Sequence, residues 1–133
     1  MGGLALAEQE YLDMIAKLRV AQGANSDNIA LMLDHLGEFY LEARSFDKAY
    51  KAFSDALEVR KATIAALPAT AATATAGPEF IAYHTFRLHL GDLETRLGEM
   101  DLAKGNLKRA GERLTDSVAI ANEPVHQRFV FGL

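Results

Sequence analysis

The sequence has no cysteine, no tryptophan and only 3 prolines among its 133 residues. Without cysteine, the chain cannot form a disulfide, a thiolate metal site or a cysteine nucleophile. It also has no excess of positive charge, because 14 Lys and Arg residues stand against 18 Asp and Glu residues and give a net charge of -4. Since binding to phosphates requires a basic surface, we do not expect nucleic acid to be the main partner.

Targeting and membrane-spanning segments are not recognisable in the sequence. No apolar run approaches the ~20 residues that a membrane-spanning helix requires. The amino-terminal stretch has no basic segment, and Glu8 interrupts its short apolar run, which argues against a secretion signal. Leu6 stands where a myristoylation motif has Ser or Thr. We therefore expect a cytoplasmic protein with no membrane contact.

Known catalytic patterns are missing too. There is no glycine-rich phosphate loop, no serine nucleophile elbow and no His-Glu-x2-His pair. His84 and His89 are five residues apart, so they point to different faces of a helix, and we expect no metal site and no cofactor. These absences predict a protein that is not an enzyme.

The sequence does contain apolar residues at helical spacing, and this pattern repeats along the chain. Three segments carry apolar residues at the same relative positions: Leu4, Ala7, Tyr11, Met14 and Ile15; Phe46, Ala49, Phe53, Ala56 and Leu57; and Met100, Ala103, Leu107 and Ala110. A second kind of helix precedes two of them, and its Leu-Gly pairs at 36–37 and 90–91 are 54 positions apart. The first two stripes are 42 positions apart (Ala7 to Ala49) and the last two are 54 apart (Ala49 to Ala103). We therefore predict helical hairpins that repeat every 42 residues, with about 12 residues inserted before the last one.

The periodicity predicts an all-α fold with about five helices in a single domain. The predicted helices span about 4–21, 27–43, 46–66, 79–97 and 100–121. Gly98 suits the left-handed end of the fourth helix, and Gly77-Pro78 suits its start. The Ala/Thr-rich insertion at 67–78 has no long side chain to anchor it, which favours a mobile surface segment over a lid or a docking strand. An apolar tail follows at 122–133.

The repeated unit resembles the tetratricopeptide repeat (TPR), and its length is most similar to the 42-residue repeats of kinesin light chains and their bacterial relatives. The residues that carry the resemblance are Leu36, Gly37, Tyr40, Ala49, Phe53 and Ala56. It implies antiparallel helical hairpins stacked in a TPR-like α-solenoid, with small residues where two helices cross. In the second unit, Arg87 and Glu94 stand at the places that match Leu33 and Tyr40, so that unit resembles a degenerate or capping repeat.

The resemblance also implies a function, which is the binding of a protein or peptide by an adaptor or scaffold. Its ligand-facing residues would be Leu31, Asp34, Glu38, Leu41 and Glu42 in one unit, and Thr85, Leu88, Asp92, Thr95 and Arg96 in the next. Four acids against one base predict a mildly acidic groove for a partner with basic and apolar residues. Ordinary solvated surface is the alternative interpretation of these acids. A regulatory subunit that senses a small ligand and a secretion-type chaperone are alternative functions.

Both ends of the chain carry apolar residues, although the ends of a solenoid normally need polar caps. These residues are Tyr11, Ile15 and Leu18 in the first helix, and Phe129, Val130, Phe131 and Leu133 in the tail. We predict that they mediate self-association, in which the tail of one chain docks near the first helix of another. Reciprocal docking would give a homodimer, and docking that is not reciprocal would give an open chain of molecules. Folding of the tail over the last helix, or excision of the chain from a longer array, would also explain them.

Overall fold

A computed structural model describes residues 2–124 and 126 of the chain. These residues form five α-helices and one short 3-10 helix, with no strand among them, so the all-α prediction is confirmed. The α-helices are α1 (Gly2–Gln22), α2 (Asp27–Glu42), α3 (Phe46–Ala65), α4 (Gly77–Ala103) and α5 (Leu107–Ala121). The sequence analysis predicted one domain, and the structure divides into two compact units, Met1–Thr63 and Ile64–Leu133.

In the first unit, α2 and α3 form an antiparallel hairpin with a mainly apolar interior. The Ser26 side chain starts α2 by accepting a hydrogen bond from the Ile29 N–H (3.3 Å). The two helices approach most closely at Gly37, where an added Cβ would lie 2.5 Å from Cε1 of Phe53. Phe53 is only 1% exposed. The prediction that a small residue marks the helix crossing is therefore confirmed in this unit.

The first helix, α1, packs antiparallel to α2 through its apolar stripe. The Tyr11 ring lies 5.6 Å from the Phe39 ring, Ile15 is 3% exposed and Leu18 is half-buried. Ile15 is therefore not exposed, which corrects the predicted stripe at that residue. Tyr11 and Leu18 are half-buried, and their role in self-association stays a prediction. The same prediction also names tail residues, and these lie outside the described part of the chain: Phe129, Val130, Phe131 and Leu133.

In the second unit, α4 passes straight through the predicted break at Gly98 and ends at Ala103. Gly98 is buried because it lies at a helix crossing, where an added Cβ would meet Cδ2 of Leu114 at 2.9 Å. The chain instead turns at Gly105, whose φ of +83° is the left-handed conformation that glycine adopts without strain. The predicted helices at 79–97 and 100–121 are therefore corrected to α4 and α5.

This correction also divides the third predicted stripe between two helices. Met100 and Ala103 belong to the end of α4, whereas Leu107 and Ala110 belong to α5. Leu107 is 67% exposed, but Ala110 is 2% exposed. The residue that fills the crossing opposite Gly98 is Leu114, which the predicted stripe did not include.

The corners of the two hairpins correspond at an offset of 61 residues rather than 54. The first corner has the backbone hydrogen bonds Ala43 N to Phe39 O (3.0 Å), Arg44 N to Leu41 O (3.0 Å), Ser45 N to Tyr40 O (2.8 Å) and Ala49 N to Ser45 O (2.9 Å). The second has Lys104 N to Met100 O (3.1 Å), Gly105 N to Leu102 O (3.0 Å), Asn106 N to Asp101 O (2.9 Å) and Ala110 N to Asn106 O (2.9 Å). The structural counterpart of Leu36-Gly37 is therefore Leu97-Gly98.

The Ala/Thr-rich insertion belongs to the second unit and is anchored there. It contains the 3-10 helix Ala71–Thr73, which packs against α4. Ala71 is 1% exposed, and the Thr70 hydroxyl donates a hydrogen bond to Oε2 of Glu79 (2.7 Å). The expectation that nothing anchors this segment is wrong, because an alanine methyl group is enough to fill a gap beside a helix. The predicted helix start at Gly77-Pro78 is confirmed.

Candidate functional site

The five ligand-facing residues predicted on α2 are all at least partly accessible. Leu31 is 46% exposed, Glu38 and Glu42 are exposed, and Leu41 is half-buried. These four residues lie on the side of α2 that faces away from the apolar interior. An apolar side chain with two carboxylates on one helix can contact a partner that has apolar and basic groups.

The fifth residue, Asp34, is part of a buried ion-pair centre. Its Oδ2 accepts a hydrogen bond from Nη2 of Arg60 on α3 (2.6 Å), and Nη1 of Arg60 bonds Oδ1 of Asp27 (2.8 Å). Arg60 is only 3% exposed, so these two carboxylates compensate a charge that would be costly to bury alone. Asp34 therefore stabilises the hairpin, which corrects its assignment as a carboxylate available to a ligand.

The ligand-facing residues predicted on α4 differ in how exposed their side chains are. Asp92 is exposed, whereas Thr85, Leu88 and Arg96 are half-buried. The Thr95 hydroxyl forms hydrogen bonds with the Ser117 hydroxyl of α5 and with the Gly91 carbonyl (3.1 Å). Thr95 therefore holds α4 to α5, in the way that Asp34 holds α2 to α3.

The 61-residue offset identifies two accessible residues that the sequence analysis missed. Counterparts of Leu31, Glu38 and Leu41 at this offset are Asp92, Glu99 and Leu102. Glu99 is exposed, and Leu102 is 53% exposed. The signal that could have found them is the second Leu-Gly pair at 97–98, seven residues after the pair at 90–91.

A cleft of about 260 Å³ opens within the first unit, between α1, α2 and α3. Its walls include Leu12, Ile15, Leu33, Leu36, Tyr40 and Ala52, and its rim carries Arg19, Lys48, Lys51 and Asp55. The Lys51 ammonium already pairs with the Asp55 carboxylate (2.9 Å). Because pockets for small ligands usually enclose about 300–1,000 Å³, this cleft gives little support to the alternative of a small-ligand sensor.

A hydrogen-bonded trio joins α1, α2 and α3 at the edge of the same unit. The Tyr40 hydroxyl donates to Oε2 of Glu8 (2.6 Å), and the Lys48 ammonium bonds the same oxygen (3.1 Å). These two hydrogen bonds lower the pKa of the Glu8 carboxyl. Burial, together with the Glu8 carboxylate, raises the pKa of Tyr40 to about 12. The ionised Glu8 and the neutral Tyr40 are therefore the forms that tie α1 to the hairpin.

In the second unit, charged side chains occupy the interior of the hairpin. Asp101 is 0% exposed, and its Oδ2 accepts a hydrogen bond from Nε of Arg113 (3.0 Å). Nη1 of Arg113 also bonds Oε2 of Glu94, which is 7% exposed (3.4 Å). One guanidinium thus compensates two buried carboxylates.

Two buried histidines meet at the other end of this unit. His84 of α4 is 7% exposed, His126 is 0% exposed, and 3.2 Å separates Nδ1 of His84 from Nε2 of His126. The other ring nitrogen of His126, Nδ1, lies 2.6 Å from the carbonyl oxygen of Ile120. Burial, and then the proximity of His126, lowers the pKa of His84, so its neutral form is favoured.

A carboxylate completes this histidine cluster. Oε2 of Glu123 lies 3.5 Å from Nδ1 of His126, and its Oε1 accepts hydrogen bonds from Arg87 at 2.6 and 3.2 Å. One potential ligand atom from each of His84, Glu123 and His126 lies within 4.8 Å of the others. The sequence analysis considered His84 with His89, but the partner of His84 is His126, 42 positions away. No local spacing could have revealed that pairing.

Comparisons of the chain with protein-family models, with curated proteins and with solved structures give no match. The TPR resemblance therefore rests on the residues that carry it. Within the described residues, no helix combines the length and the apolar character that crossing a membrane requires.

Proposed function

We propose that the protein is a non-enzymatic interaction module of TPR-like helical hairpins, which binds a polypeptide that carries basic and apolar residues. The first helix of each hairpin provides a binding face. The α2 face consists of Leu31, Glu38, Leu41 and Glu42, and the α4 face consists of Asp92, Glu99 and Leu102. The proposed setting is the cytoplasm. A chain without cysteine forms no disulfides and therefore needs no oxidising compartment.

The observation that carries this proposal is the recurrence of accessible carboxylates and leucines at structurally equivalent positions. Glu38 and Glu99 are both exposed, and they correspond at the 61-residue offset. Leu41 and Leu102 correspond in the same way and are half-buried and 53% exposed, respectively. Two hairpins with different interiors thus present similar outer faces, which is what a repeated binding surface requires.

Charge determines the class of partner. The accessible acids are Glu38 and Glu42 on the α2 face and Asp92 and Glu99 on the α4 face. A partner with Lys or Arg gains from complementary potential and approaches faster, while its apolar side chains can cover the leucines. The peptide can bind as a helix or as an extended segment, since both modes need alternating basic and apolar contacts.

The proposal can be tested by selecting binders from a random peptide library displayed on phage. The wild-type chain is expected to enrich peptides that combine Lys or Arg with Leu, Ile or Phe, and their binding should weaken as salt is added. Glu38→Lys/Glu42→Lys and Asp92→Lys/Glu99→Lys should each weaken binding of a selected peptide by about 10-fold or more, since one decade corresponds to roughly 1.4 kcal/mol.

A matched control reverses acids on the second helix of each hairpin. Glu58 of α3 and Glu112 of α5 are exposed, so the double variant Glu58→Lys/Glu112→Lys changes the net charge as much as each test variant does, at sites outside the two faces. We expect this control to bind the selected peptides as wild type does. Enrichment of acidic peptides, or an equal loss in the control variant, would contradict the proposal. Asp34 is left unchanged, because a lysine there would face Arg60 and disturb the hairpin.

A further inference from the structure

The proposed binding faces do not use the buried cluster of His84, Glu123 and His126. We propose that this cluster binds a divalent transition-metal ion of the zinc class, with the two imidazoles and the carboxylate as ligands. Imidazole nitrogen and carboxylate oxygen are both ordinary zinc ligands. A metal-binding activity goes beyond the function proposed above.

The distance between the two imidazoles suits a shared metal ion. Zinc–nitrogen bonds are about 2.0–2.1 Å long, so two nitrogens on neighbouring corners of a tetrahedron lie about 3.3 Å apart. Nδ1 of His84 and Nε2 of His126 are 3.2 Å apart. The two rings also stand nearly at right angles, with an interplanar angle of 75°. The backbone and the rotamers already hold both nitrogens at the separation that one metal ion requires.

The surroundings of His126 favour the tautomer that a ligand needs. Its Nδ1 lies 2.6 Å from the Ile120 carbonyl, which can only accept a hydrogen bond, so Nδ1 carries the proton. Nε2 then has a free lone pair, and it is directed towards His84. A histidine ligand commonly donates its second N–H to a backbone carbonyl, which orients the ring and raises its basicity.

His84 is prepared in a comparable way by its aromatic neighbours. The Phe80 ring centroid lies 4.7 Å from the His84 ring, and the Tyr83 ring lies edge-on at 5.0 Å. These contacts fix the orientation of the imidazole. Burial also favours its neutral form, which is the form that coordinates a metal.

Glu123 supplies the third ligand and the negative charge. It precedes His126 by three residues, so both side chains come from one turn of the chain. Its Oε1 accepts a hydrogen bond from Arg87, and its Oε2 lies 3.5 Å from Nδ1 of His126. We infer that the carboxylate turns to place an oxygen on the metal, since one ligand atom of Glu123 lies within 4.8 Å of one from each histidine. Arg87 lies over the Tyr83 ring, 5.8 Å from its centroid, and keeps that contact.

Direct hydrogen bonding between the two histidines is the competing explanation. In that arrangement Nδ1 of His84 carries a proton and donates it to Nε2 of His126, and the cluster serves only to hold the chain after α5 against α4. The two explanations differ in a measurable way. A metal ion would occupy the position of that shared proton, so metal would bind with one ion per chain and stabilise the fold.

The test uses the full-length untagged chain, treated with a chelator and then titrated with Co²⁺ or Zn²⁺. We expect one Co²⁺ per chain with the visible absorption bands of a tetrahedral site, and displacement of Co²⁺ by Zn²⁺. With Zn²⁺ about 100-fold above its Kd, the Tm should rise by roughly 5–10 °C. His84→Gln and His126→Gln should weaken binding by at least about 100-fold, which exceeds the effect of losing a neighbour that only orients a ligand.

His35→Gln is the matched control, because His35 is an exposed histidine of α2 outside the cluster, and it should bind as wild type does. NMR of the wild-type chain avoids any folding defect of the variants: Zn²⁺ should shift the imidazole resonances of His84 and His126 and leave those of His35 unchanged. Absence of tetrahedral Co²⁺ bands and of a Tm change in the folded wild type would overturn the proposal. Resonances of His84 and His126 that ignore Zn²⁺ would do the same and would favour the direct hydrogen bond.

Discussion

The two hairpins share a backbone corner but differ in what fills their interiors. In the first unit, Leu33, Tyr40 and Ala52 pack in an interior whose centre is the contact between Gly37 and Phe53. At the same positions, 61 residues later, the second unit has Glu94, Asp101 and Arg113. A trio of Leu, Tyr and Ala is thus replaced by an ionic trio in which one guanidinium bonds two carboxylates. The corner hydrogen bonds determine the turn, and the interior can be apolar or ionic as long as its groups match one another.

The corners differ in one respect, which is the residue in the left-handed conformation. Arg44 has a φ of +60° in the first corner, and Gly105 has a φ of +83° in the second. An L-residue in this conformation is less favourable than glycine by roughly 1 kcal/mol. Arg44 therefore sits in a slightly strained position that the surrounding hydrogen bonds maintain.

Breaking the ionic trio is expected to have the largest effect. Arg113→Ala leaves the carboxylates of Asp101 and Glu94 buried without their guanidinium partner, and we expect the free energy of unfolding to fall by about 3–5 kcal/mol. Urea denaturation measures this change. Lys108→Ala, at an exposed position of the same helix, is the control and should change stability by less than about 0.5 kcal/mol.

A triple variant sharpens the same comparison. Glu94→Leu/Asp101→Tyr/Arg113→Ala installs the residues of the first unit at the matching positions of the second. Because an apolar group can replace a buried ion network at little cost, this variant should recover most of the stability that Arg113→Ala loses. A triple variant as unstable as the single one would show that the two interiors are not interchangeable.

Glycine substitutions should have intermediate effects that rank by the space at each crossing. Gly37→Ala places a methyl group 2.5 Å from the Phe53 ring, so we expect a loss of about 1–3 kcal/mol. Gly98→Ala meets Leu114 at 2.9 Å, where the flexible side chain can move, and should cost less. Gly91→Ala, 3.3 Å from Ile120, should be nearly neutral.

Gly111 provides the control for this series. It lies inside α5, and an added Cβ there meets nothing within 4 Å. Gly111→Ala should therefore stabilise the protein by about 0.5–1 kcal/mol through helix propensity alone. Chemical denaturation of all four variants gives the order. A loss for Gly91→Ala greater than that for Gly37→Ala would contradict the crossing geometry.

Acidification should have the smallest effect and should act on the first unit. The folded-state pKa of Glu8 is below its unfolded value, so its contribution to stability is present above the unfolded pKa, near 4.5, and is lost as the pH falls through the folded pKa. Glu8→Gln should remove this part of the pH dependence and leave stability near neutral pH slightly lower. Thermal unfolding of both proteins between about pH 3 and pH 7 measures the difference. Identical pH profiles would indicate that Tyr40 and Lys48 do not hold the Glu8 carboxylate.

The sequence predicts the first three helices closely because their ends have local signals. α2 begins after Ser26, a good N-cap, and α3 follows three residues after α2 ends. The boundary between α4 and α5 was misplaced because Leu-Gly occurs twice, at 90–91 and 97–98. Apolar periodicity cannot distinguish these two pairs. Seven residues along a helix correspond to two full turns minus about 20°, so both pairs lie on nearly the same side of α4. The actual turn residue was Gly105, which lies between Lys104 and Asn106 and has the local character of a helix end.

The sites were less predictable than the helices because they depend on distant pairings. The helical pattern places Asp34 on the accessible side of α2, but Arg60, 26 positions later, donates a hydrogen bond to its carboxylate. His84 was judged against its neighbour His89, although its partner lies beyond the end of α5. Exposure of Glu38 and Glu42 followed from the helical pattern alone and was predicted. Contacts between helices depend on how the helices pack, and a single sequence gives no indication of that packing.

The Leu-Gly pair occurs twice in α4, at 90–91 and 97–98, and this spacing of seven residues has a consequence for how such hairpins can change in length. Because seven residues advance a helix by nearly two whole turns, a segment of that size can be added to one arm without turning its buried side towards water. Insertions of two or five residues would rotate that side by roughly half a turn and expose it. Arms of this fold can therefore grow in steps of about 10 Å, at 1.5 Å for each residue, while the corner and the surface pattern stay as they were.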